Sequence, residues 1–285
     1  MPELPEVECV RRGLARADLD GKAIDAVWRS SHALRTGAFW RDEGLHWLEG
    51  AHTVRFDRRG KFLLWVLRSA DDVPLQAVIH LGMTGRVTVL AADAPLLPHT
   101  HLVVKLRGGP QLHYSDPRRF GGVHVDTVAA LESAGPVAEL GPEPLGRGFN
   151  GTVLHERGRR SKRAIRDVLL DQKVVAGLGN IYVSEALFVA GIPPLAPAAE
   201  LHMSAWDRLG VAVREVLRQG LRNGGTTLRD YRGTSGERGR NQNALKVYGR
   251  AGQPCPSCGA SLHGYVHGGR SGVMCRRCQP ARRRR

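Results

Sequence analysis

Two short cysteine pairs, Cys255-Pro-Ser-Cys258 and Cys275-Arg-Arg-Cys278, decide how the last part of this 285-residue chain folds. The segment 259–274 separates them, and Gly259 follows the first pair directly. Four thiolates in two such pairs, each on a tight turn, are typical of tetrahedral Zn²⁺ coordination. Because protein ligands fill all four positions, the spacing predicts one structural zinc ion that holds a small finger together.

Disulfide bonds and redox chemistry are the alternatives for these cysteines. Disulfides need an oxidising compartment, and two redox Cys-x-x-Cys pairs in tandem on a basic segment are not the usual redox pattern. Residues 255–278 also contain too few apolar side chains to form a core without a metal. Zinc is therefore favoured. The fifth cysteine, Cys9, lies in a predicted helix and is expected to be an inert packing residue.

The charge of the chain is concentrated in the half that contains the cysteines. Residues 1–140 have 17 basic and 17 acidic side chains, whereas residues 141–285 have 25 basic and 10 acidic ones, which gives the net charge of +15. A general preference for Arg would explain which base is used, but not the shortage of acidic neighbours. The asymmetry predicts a polyanion-binding module attached to a part with a different task.

Composition also limits the class of protein. A hydrophobic fraction of 42% is enough for packed cores, and no apolar run approaches the ~20 residues of a membrane span. The start Met1-Pro-Glu-Leu-Pro-Glu6 is acidic, unlike a secretory signal. We expect a soluble cytoplasmic protein without a membrane partner, and, from the length, two domains.

A glycine turn provides a second candidate site. Gly177-Leu-Gly-Asn180 directly precedes a predicted helix, with Asn180 as its expected N-cap. Backbone N–H groups at such a turn can approach an anion closely. Upstream lies a basic run of Arg159, Arg160, Lys162, Arg163 and Arg166. Together they predict a phosphate clamp, although an ordinary capped helix with a solvated charged face fits the same residues.

The periodicity of the chain predicts an α+β protein. A helix over 6–17 is followed by eight short strands, at 23–28, 53–56, 62–67, 76–81, 85–90, 101–106, 111–114 and 123–125. Many short strands with close spacing predict a β-sandwich or barrel. Helical spacing returns at 164–170, 181–189 and 205–221.

These patterns divide the chain into five segments. We expect an N-terminal β-sandwich domain with flanking helices at 1–134 and a Gly- and Pro-rich linker at 135–150. A helical domain at 151–245, a zinc finger at 246–280 and a basic tail at 281–285, which contains Arg282–Arg285, follow.

The N-terminus is the third candidate site. If Met1 is removed, Pro2 presents a secondary amine with a pKa of about 8, so that part of it is unprotonated at neutral pH. Such an amine can attack an aldehyde-level carbon and form an iminium ion. Glu3 and Glu6 place carboxylates nearby for proton transfer. A simple helix start explains the same residues, so both interpretations stay open at this point.

Several motifs in order show a resemblance that spans nearly the whole chain. They are Met1-Pro-Glu-Leu-Pro-Glu-Val-Glu8, Arg58-Arg-Gly-Lys61, His80-Leu-Gly-Met-Thr-Gly85, Asp116-Pro-Arg-Arg-Phe-Gly121, Leu140-Gly-Pro-Glu-Pro-Leu145, Gly179-Asn-Ile-Tyr-Val-Ser-Glu185, Val247-Tyr-Gly-Arg250 and the two cysteine pairs. With them the chain resembles the formamidopyrimidine-DNA glycosylase family, which includes endonuclease VIII. The resemblance implies a β-sandwich joined to a helix-two-turn-helix domain with a zinc-finger β-hairpin.

The resemblance also implies an activity. It is that of a bifunctional DNA glycosylase and AP lyase of base excision repair, which excises oxidised purines through a Schiff base on the N-terminal proline and cleaves the strand by β,δ-elimination. The partner would be double-stranded DNA with oxidised or abasic sites, bound by a nucleoid-associated monomer. The expected alternatives are an endonuclease VIII-like enzyme for oxidised pyrimidines and a non-catalytic zinc protein that binds damaged DNA. An RNA-binding factor is disfavoured because only 6% of residues are aromatic.

Residue roles follow from the same resemblance. It implies that Pro2, Glu3, Lys61 and Arg270 are catalytic, that Met83, Arg118 and Phe120 fill the gap left by a flipped nucleotide, and that His99, Arg118, Lys162 and Asn180 bind DNA. Apolar wedges and an arginine suit a gap in stacked bases. The loop 234–244 would close over an extruded purine, and its Arg240-Asn241 stands where relatives often carry an aromatic residue.

Overall fold

A computed structural model of the chain describes residues 1–32, 42–228 and 231–280. It divides into two compact units, Met1–Glu139 with Asn223–Arg240, and Leu140–Arg222 with Asn241–Arg285. The boundary after Glu139 falls inside the expected linker of 135–150. Residues 223–240, expected within the helical domain of 151–245, cluster with the N-terminal unit instead. The arginine tail 282–285 lies outside the described residues.

The N-terminal unit contains two four-stranded antiparallel sheets. One sheet has the order β1-β6-β7-β5 and the other β2-β3-β4-β8. The strands are β1 (Ile24–Arg29), β2 (His52–Arg59), β3 (Phe62–Arg68), β4 (Pro74–His80), β5 (Arg86–Leu90), β6 (Thr100–Leu106), β7 (Gln111–Ser115) and β8 (Gly122–Thr127). Each corresponds to one of the eight predicted strands. Helix α1 (Leu4–Ala15) precedes them, a 3-10 helix spans Asp42–Leu48, and α2 (Val128–Ala134) follows β8.

One hydrophobic core joins the sheets and the first helix. It contains Val7, Val10 and Leu14 from α1, alternate residues of β3 such as Leu63 and Trp65, and residues of the other sheet such as Val104 and Leu112. Burial of alternate side chains from both sheets is the packing of a sandwich. The predicted fold class is confirmed in this unit.

The second unit is helical and ends in a hairpin. Its helices are α3 (Gly151–Gly158), α4 (Ile165–Leu170), α5 (Asn180–Val189) and α6 (Met203–Arg222), and its strands are β9 (His263–His267) and β10 (Arg270–Met274). The sequence pattern did not predict α3, which begins and ends with glycine and has few apolar residues. Its start is stabilised by Asn150, whose side chain accepts a hydrogen bond from the Val153 N–H at 3.0 Å.

Helix α6 is the main packing element of this unit. It contributes Trp206, which is fully buried, and packs against both α3 and α5. At Gly220 the helix approaches Tyr182 so closely that a Cβ would lie 2.4 Å from the tyrosine hydroxyl, so only glycine fits. None of the helices in the described parts of the chain has the length and apolar character to cross a membrane.

Candidate functional site

The first candidate site is the start of α1, where the backbone is fixed by two carboxylates. Pro2, Glu3 and Glu6 are buried, whereas Met1 is half exposed. Glu3 is the N-cap residue, and it forms a capping box with Glu6. In this box the Glu3 N–H donates to Glu6 Oε2 at 2.9 Å. The reciprocal bonds hold the residue after Pro2 in a single geometry.

Glu6 has a second function that sequence analysis missed. Its Oε1 accepts a hydrogen bond from the backbone N–H of Thr226 at 2.7 Å, and its carbonyl oxygen accepts one from the Tyr231 hydroxyl at 3.3 Å. Residues 223–240 are thereby attached to the start of α1. The available signal was Gly224-Gly225, because both residues have positive φ angles, and only glycine adopts two of these in succession without strain.

Lys61 lies at the turn between β2 and β3 and is only 7% exposed. Arg58 links this turn to α1, since its Nε donates to Glu8 at 3.3 Å and its Nη1 donates to the carbonyl oxygen of Gly60 at 2.9 Å. Burial raises the pKa of Glu8, but hydrogen bonds from Arg11 and Arg12 outweigh this and lower it. A charged Glu8 therefore positions the turn that carries Lys61.

His80, at the end of β4, is close to Lys61 and is held neutral. Burial lowers its pKa to about 4, and the nearby charge of Lys61 acts in the same direction. Its Nδ1 accepts a hydrogen bond from the Gly82 N–H at 3.3 Å, which requires the unprotonated ring. The neutral histidine thus supports the turn that begins at Gly82 and presents Met83.

Met83, Arg118 and Phe120 lie on two turns that touch each other. A Cβ on Gly82 would be 2.5 Å from the Gly121 nitrogen, so the backbones are in direct contact. Met83 is 40% exposed, and the guanidinium carbon of Arg118 lies 4.6 Å from the centre of the Phe120 ring. His99 is exposed on a nearby loop, and its carbonyl oxygen accepts a hydrogen bond from the Asp116 N–H at 3.0 Å.

The predicted capping function of Asn180 is wrong. Gly179 is the N-cap of α5, and Asn180 is the first helical residue. The side chain of Asn180 instead accepts a hydrogen bond from Arg166 Nη2 at 2.8 Å and donates one to the carbonyl oxygen of Ser271 at 3.0 Å. The amide therefore joins α4 to strand β10, and it does not cap α5 because Asn180 already lies inside the helix.

Arg166 also differs from the sequence interpretation. It is 2% exposed and packs against the Tyr265 ring at 5.4 Å, so it is not part of a solvated basic run. Lys162, in the turn between α3 and α4, is exposed as expected. Arg163 is exposed but forms an ion pair with Asp171 at 3.0 Å. The surface available to an anion is therefore smaller than the sequence alone implied.

Arg270 is the first residue of β10 and is exposed at the tip of the β9–β10 hairpin. Gly268 and Gly269, both with positive φ angles, form the turn before it. Near the turn, His267 Nε2 lies 2.7 Å from an Asp167 carboxylate oxygen. The hairpin that carries Arg270 is thus held by the contact of His267 with Asp167 of α4 and by the hydrogen bond from Asn180 to Ser271. The second unit therefore contains Lys162, Asn180 and Arg270 together with the four cysteines, and the first contains the other predicted site residues.

The four predicted zinc ligands lie close together in the second unit. The sulfur atoms of Cys255, Cys258, Cys275 and Cys278 are all within 4.8 Å of one another. The Cys255–Cys278 and Cys258–Cys275 sulfur distances are 3.9 and 3.5 Å. Four sulfurs at about 2.3 Å from a tetrahedral zinc ion are ~3.8 Å apart, so the arrangement fits the metal.

The second cysteine pair is fixed by a buried glutamine. The side chain of Gln279 accepts the Cys275 N–H at 3.0 Å and donates to the carbonyl oxygen of Ile192 at 2.8 Å. This connects the finger to the chain just after α5, and Val247 and Leu262 pack beside the cysteines. The finger therefore combines a metal site with a small apolar cluster.

Family models match almost the whole chain. The formamidopyrimidine-DNA glycosylase N-terminal domain matches residues 1–123, the formamidopyrimidine-DNA glycosylase H2TH domain matches 140–232, and a zinc finger found in this family and in IleRS matches 252–281. The chain belongs to the formamidopyrimidine-DNA glycosylase family. Within this family the four-cysteine cluster is a structural zinc site.

Individual relatives agree with the family assignment. The chain is 44% identical to formamidopyrimidine-DNA glycosylase of Moorella thermoacetica, over 92% of this chain and 93% of that one. The solved structure of the Thermus thermophilus protein has a TM-score of 0.85 and 38% identity, and 98% of each chain is covered. A Lactococcus lactis family member, solved with DNA that contains Fapy-dG, has a TM-score of 0.87 at 34% identity, with 98% of this chain and 100% of that one covered.

Proposed function

We propose that this chain is a bifunctional DNA glycosylase and AP lyase of base excision repair that acts on oxidised purines. One observation carries the proposal: Pro2 and Glu3 are adjacent and buried at the start of α1. There the two carboxylate oxygens of Glu6 accept hydrogen bonds from the backbone N–H groups of Glu3 and Thr226. The Lactococcus lactis relatives were solved with DNA containing Fapy-dG or an abasic site, which supports the same substrate class here.

Pro2 is the proposed nucleophile. Removal of the half-exposed Met1 leaves a secondary amine, which attacks C1′ of the damaged nucleotide. The bond from C1′ to the base breaks, and the base leaves with a proton. The C1′–O4′ bond of the sugar ring then breaks, with O4′ taking up a proton, so that the opened sugar remains attached to Pro2 as an iminium ion. Loss of the C2′ proton then breaks the C3′–O bond, and a second elimination breaks the C5′–O bond. Hydrolysis of the iminium ion releases the enzyme.

Glu3 and Lys61 are proposed to support this chemistry. Glu3 acts as a general acid on the sugar, and its backbone is already fixed by Glu6, so little ordering is needed when substrate binds. Lys61 contacts the phosphate of the lesion and assists proton transfer. Its low exposure keeps the ammonium group in a poorly hydrated position, where a phosphate contact is stronger than in water.

The remaining residues are proposed to hold the DNA. Met83, Arg118 and Phe120 fill the space that the extruded nucleotide leaves, and His99 contacts the backbone. In the second unit, Lys162, Asn180 and the hairpin residue Arg270 bind phosphates, with Arg270 acting on those that flank the lesion during elimination. We further place the enzyme in the cytoplasm, associated with the nucleoid, as a monomer, since one duplex fits one set of contacts.

Borohydride trapping tests the proposal. The protein is incubated with duplexes that contain 8-oxoguanine opposite cytosine, an oxidised pyrimidine or an abasic site, and borohydride is added. We expect a covalent adduct that maps to Pro2 by peptide mass analysis and forms faster with 8-oxoguanine than with the pyrimidine. Pro5→Ala, in the same helix, is the control and should retain the adduct.

The result can contradict the proposal in two ways. No adduct with any of the three duplexes would overturn the enzyme function and favour a protein that only binds damaged DNA. Faster reaction with the oxidised pyrimidine would overturn the substrate preference and favour an endonuclease VIII-like enzyme.

A further inference from the structure

The carboxylate of Asp116, at the end of β7, joins the two turns that present Met83, Arg118 and Phe120. Asp116 is fully buried, with 0% exposure. Its Oδ1 accepts hydrogen bonds from the Thr84 hydroxyl and from the Arg118 N–H, the second at 3.3 Å. Its Oδ2 accepts the Gly121 N–H at 2.8 Å. Oδ1 therefore contacts both the turn of Met83 and the turn of Arg118. Oδ2 binds the end of the second turn at Gly121.

The backbone of Asp116 adds a third segment to this arrangement. Its N–H donates to the carbonyl oxygen of His99, and its own carbonyl oxygen accepts the Arg119 N–H at 3.1 Å. The same oxygen lies 3.1 Å from His101 Nε2. The loop of His99 is thus attached to the residue that holds the Met83 and Arg118 turns. Three segments that are far apart in sequence share one buried residue.

Thr84 connects this residue to the exposed methionine. It directly follows Met83, is buried, and its hydroxyl oxygen also accepts the Arg118 N–H at 3.2 Å. Arg119 has a φ of +57°, a left-handed conformation that costs a non-glycine residue free energy. The hydrogen bonds around Asp116 offset this cost, and the turn consequently brings Arg118 and Phe120 together.

We propose that Asp116 is a positioning residue, which holds the gap-filling side chains in their inserted arrangement before DNA arrives. This inference rests on the proposed function. Side chains that must enter a gap of one nucleotide lose conformational freedom on binding. Turns whose backbone is already ordered reduce this loss. The carboxylate group is required because it only accepts hydrogen bonds, whereas an amide of the same shape turns an NH₂ group toward donors.

Asp116→Asn tests the positioning function, with Asp126→Asn as the matched control. Asp126 lies in the same unit, and its carboxylate accepts a local bond from the Thr127 N–H. We compare the affinities of each variant for duplexes with and without a tetrahydrofuran abasic analogue, and we measure the fluorescence of 2-aminopurine opposite the analogue. Borohydride trapping on single-stranded abasic DNA, which has no opposite base and no gap, is measured in parallel.

We expect Asp116→Asn to reduce the preference for the abasic duplex about tenfold and to weaken the fluorescence change, because charged hydrogen bonds are lost. Trapping on single-stranded DNA should stay within about threefold of the parent protein, and Asp126→Asn should behave like the parent throughout. An unchanged preference and fluorescence response in Asp116→Asn overturns the inference. Equal losses on single-stranded and duplex DNA also overturn it, because the effect is then not on gap filling.

A second variant covers the case in which Asp116→Asn does not fold. Thr84→Val removes one hydroxyl from the same group and keeps the shape of the side chain. It should lower the preference for the abasic duplex in the same direction, about threefold, and no change would contradict the inference. Failure of the parent protein to form any adduct contradicts the proposed function, whereas the duplex comparison concerns Asp116 alone.

Discussion

The carboxylate of Glu6 accepts a hydrogen bond of 2.7 Å from the backbone N–H of Thr226, which lies 220 residues further along the chain. Its other oxygen accepts the N–H of Glu3 at 2.9 Å. One buried side chain therefore connects the loop 223–240 to the residue beside the proposed nucleophile. A displacement of Thr226 would therefore move the carboxylate that accepts the Glu3 N–H, and so disturb the backbone beside Pro2.

Gly225→Ala tests this link, with Gly21→Ala as its control. The two glycines have similar φ, +84° and +76°, so both variants lose about 1 kcal/mol of stability to backbone strain. At Gly225 the new Cβ also lies 3.0 Å from Tyr231 and 3.1 Å from Glu6, whereas at Gly21 nothing is within 4 Å. We expect Gly225→Ala to cost about 1 kcal/mol more in urea unfolding and to slow base excision. Equal behaviour of the two variants would contradict the link.

Lys61→Ala should reduce the rate of 8-oxoguanine excision more than the rate of cleavage at a preformed abasic site. We expect the loss of the first rate to exceed the loss of the second by about tenfold or more. The reason is that the proposed proton transfer matters most while the base is still attached. Lys105→Ala, an exposed lysine on β6, is the control and should change neither rate. Single-turnover rates on the two substrates measure the difference, and an equal loss on both counts against the assigned function of Lys61.

The N-terminal unit should lose stability as the pH falls from about 6.5 toward 4. His80 has a folded-state pKa of about 4 against an ordinary value of 6.5, so below 6.5 the unfolded chain binds the proton more tightly. The loss is up to about 3 kcal/mol at pH 4. Burial lowers the pKa of His101 and His113 as well, in the same direction.

His80→Gln isolates the contribution of this residue. Between pH 6.5 and 4.5 the free energy of unfolding of the variant should fall less steeply than that of the parent protein, as measured by urea unfolding at several pH values. Parallel curves for the two proteins would show that His80 does not carry the effect.

Removal of zinc should weaken DNA binding strongly and leave the N-terminal unit folded. The chain has five tryptophans, and in Trp206→Phe the remaining four lie between residues 28 and 65. Their emission in this variant should be unchanged by a strong chelator, while affinity for an abasic duplex falls by about 100-fold or more, because the finger depends on the metal for its fold. A shift of the emission to that of the unfolded chain would mean that the unit depends on the finger.

Affinity for DNA should depend steeply on salt. With six or more phosphates neutralised, about 10³-fold is lost between 50 and 200 mM salt. Arg270→Ala should reduce the slope of log affinity against log salt by about 1, since one phosphate contact is removed. Glu215→Gln, which removes only an exposed acidic partner of Lys246, should leave the slope unchanged. A slope that Arg270→Ala does not alter would argue against a phosphate contact at the hairpin tip.

Local patterns predicted most of the elements but not their special contacts. All eight strands of the sandwich and helices α1, α4, α5 and α6 follow from periodicity, because alternation and helical spacing depend on neighbouring residues. Helix α3 was missed, since its stability comes from packing on α6 and from the Asn150 cap rather than from its own composition. Asn180 was predicted to cap α5 because a sequence cannot show that Arg166 and Ser271 lie within hydrogen-bond distance of its side chain.

The sequence by itself determined the zinc ligands, the basic half, the succession of strands along the chain and the resemblance that names the family, because each of these resides in residue type and spacing. Only the tertiary structure decided which side chains share a buried position. It assigned residues 223–240 to the N-terminal unit, joined Glu6 to Thr226, and placed three segments around Asp116. The physical reason is that a buried carboxylate must find donors wherever the fold brings them, and most of these donors are backbone N–H groups, which every residue except proline has.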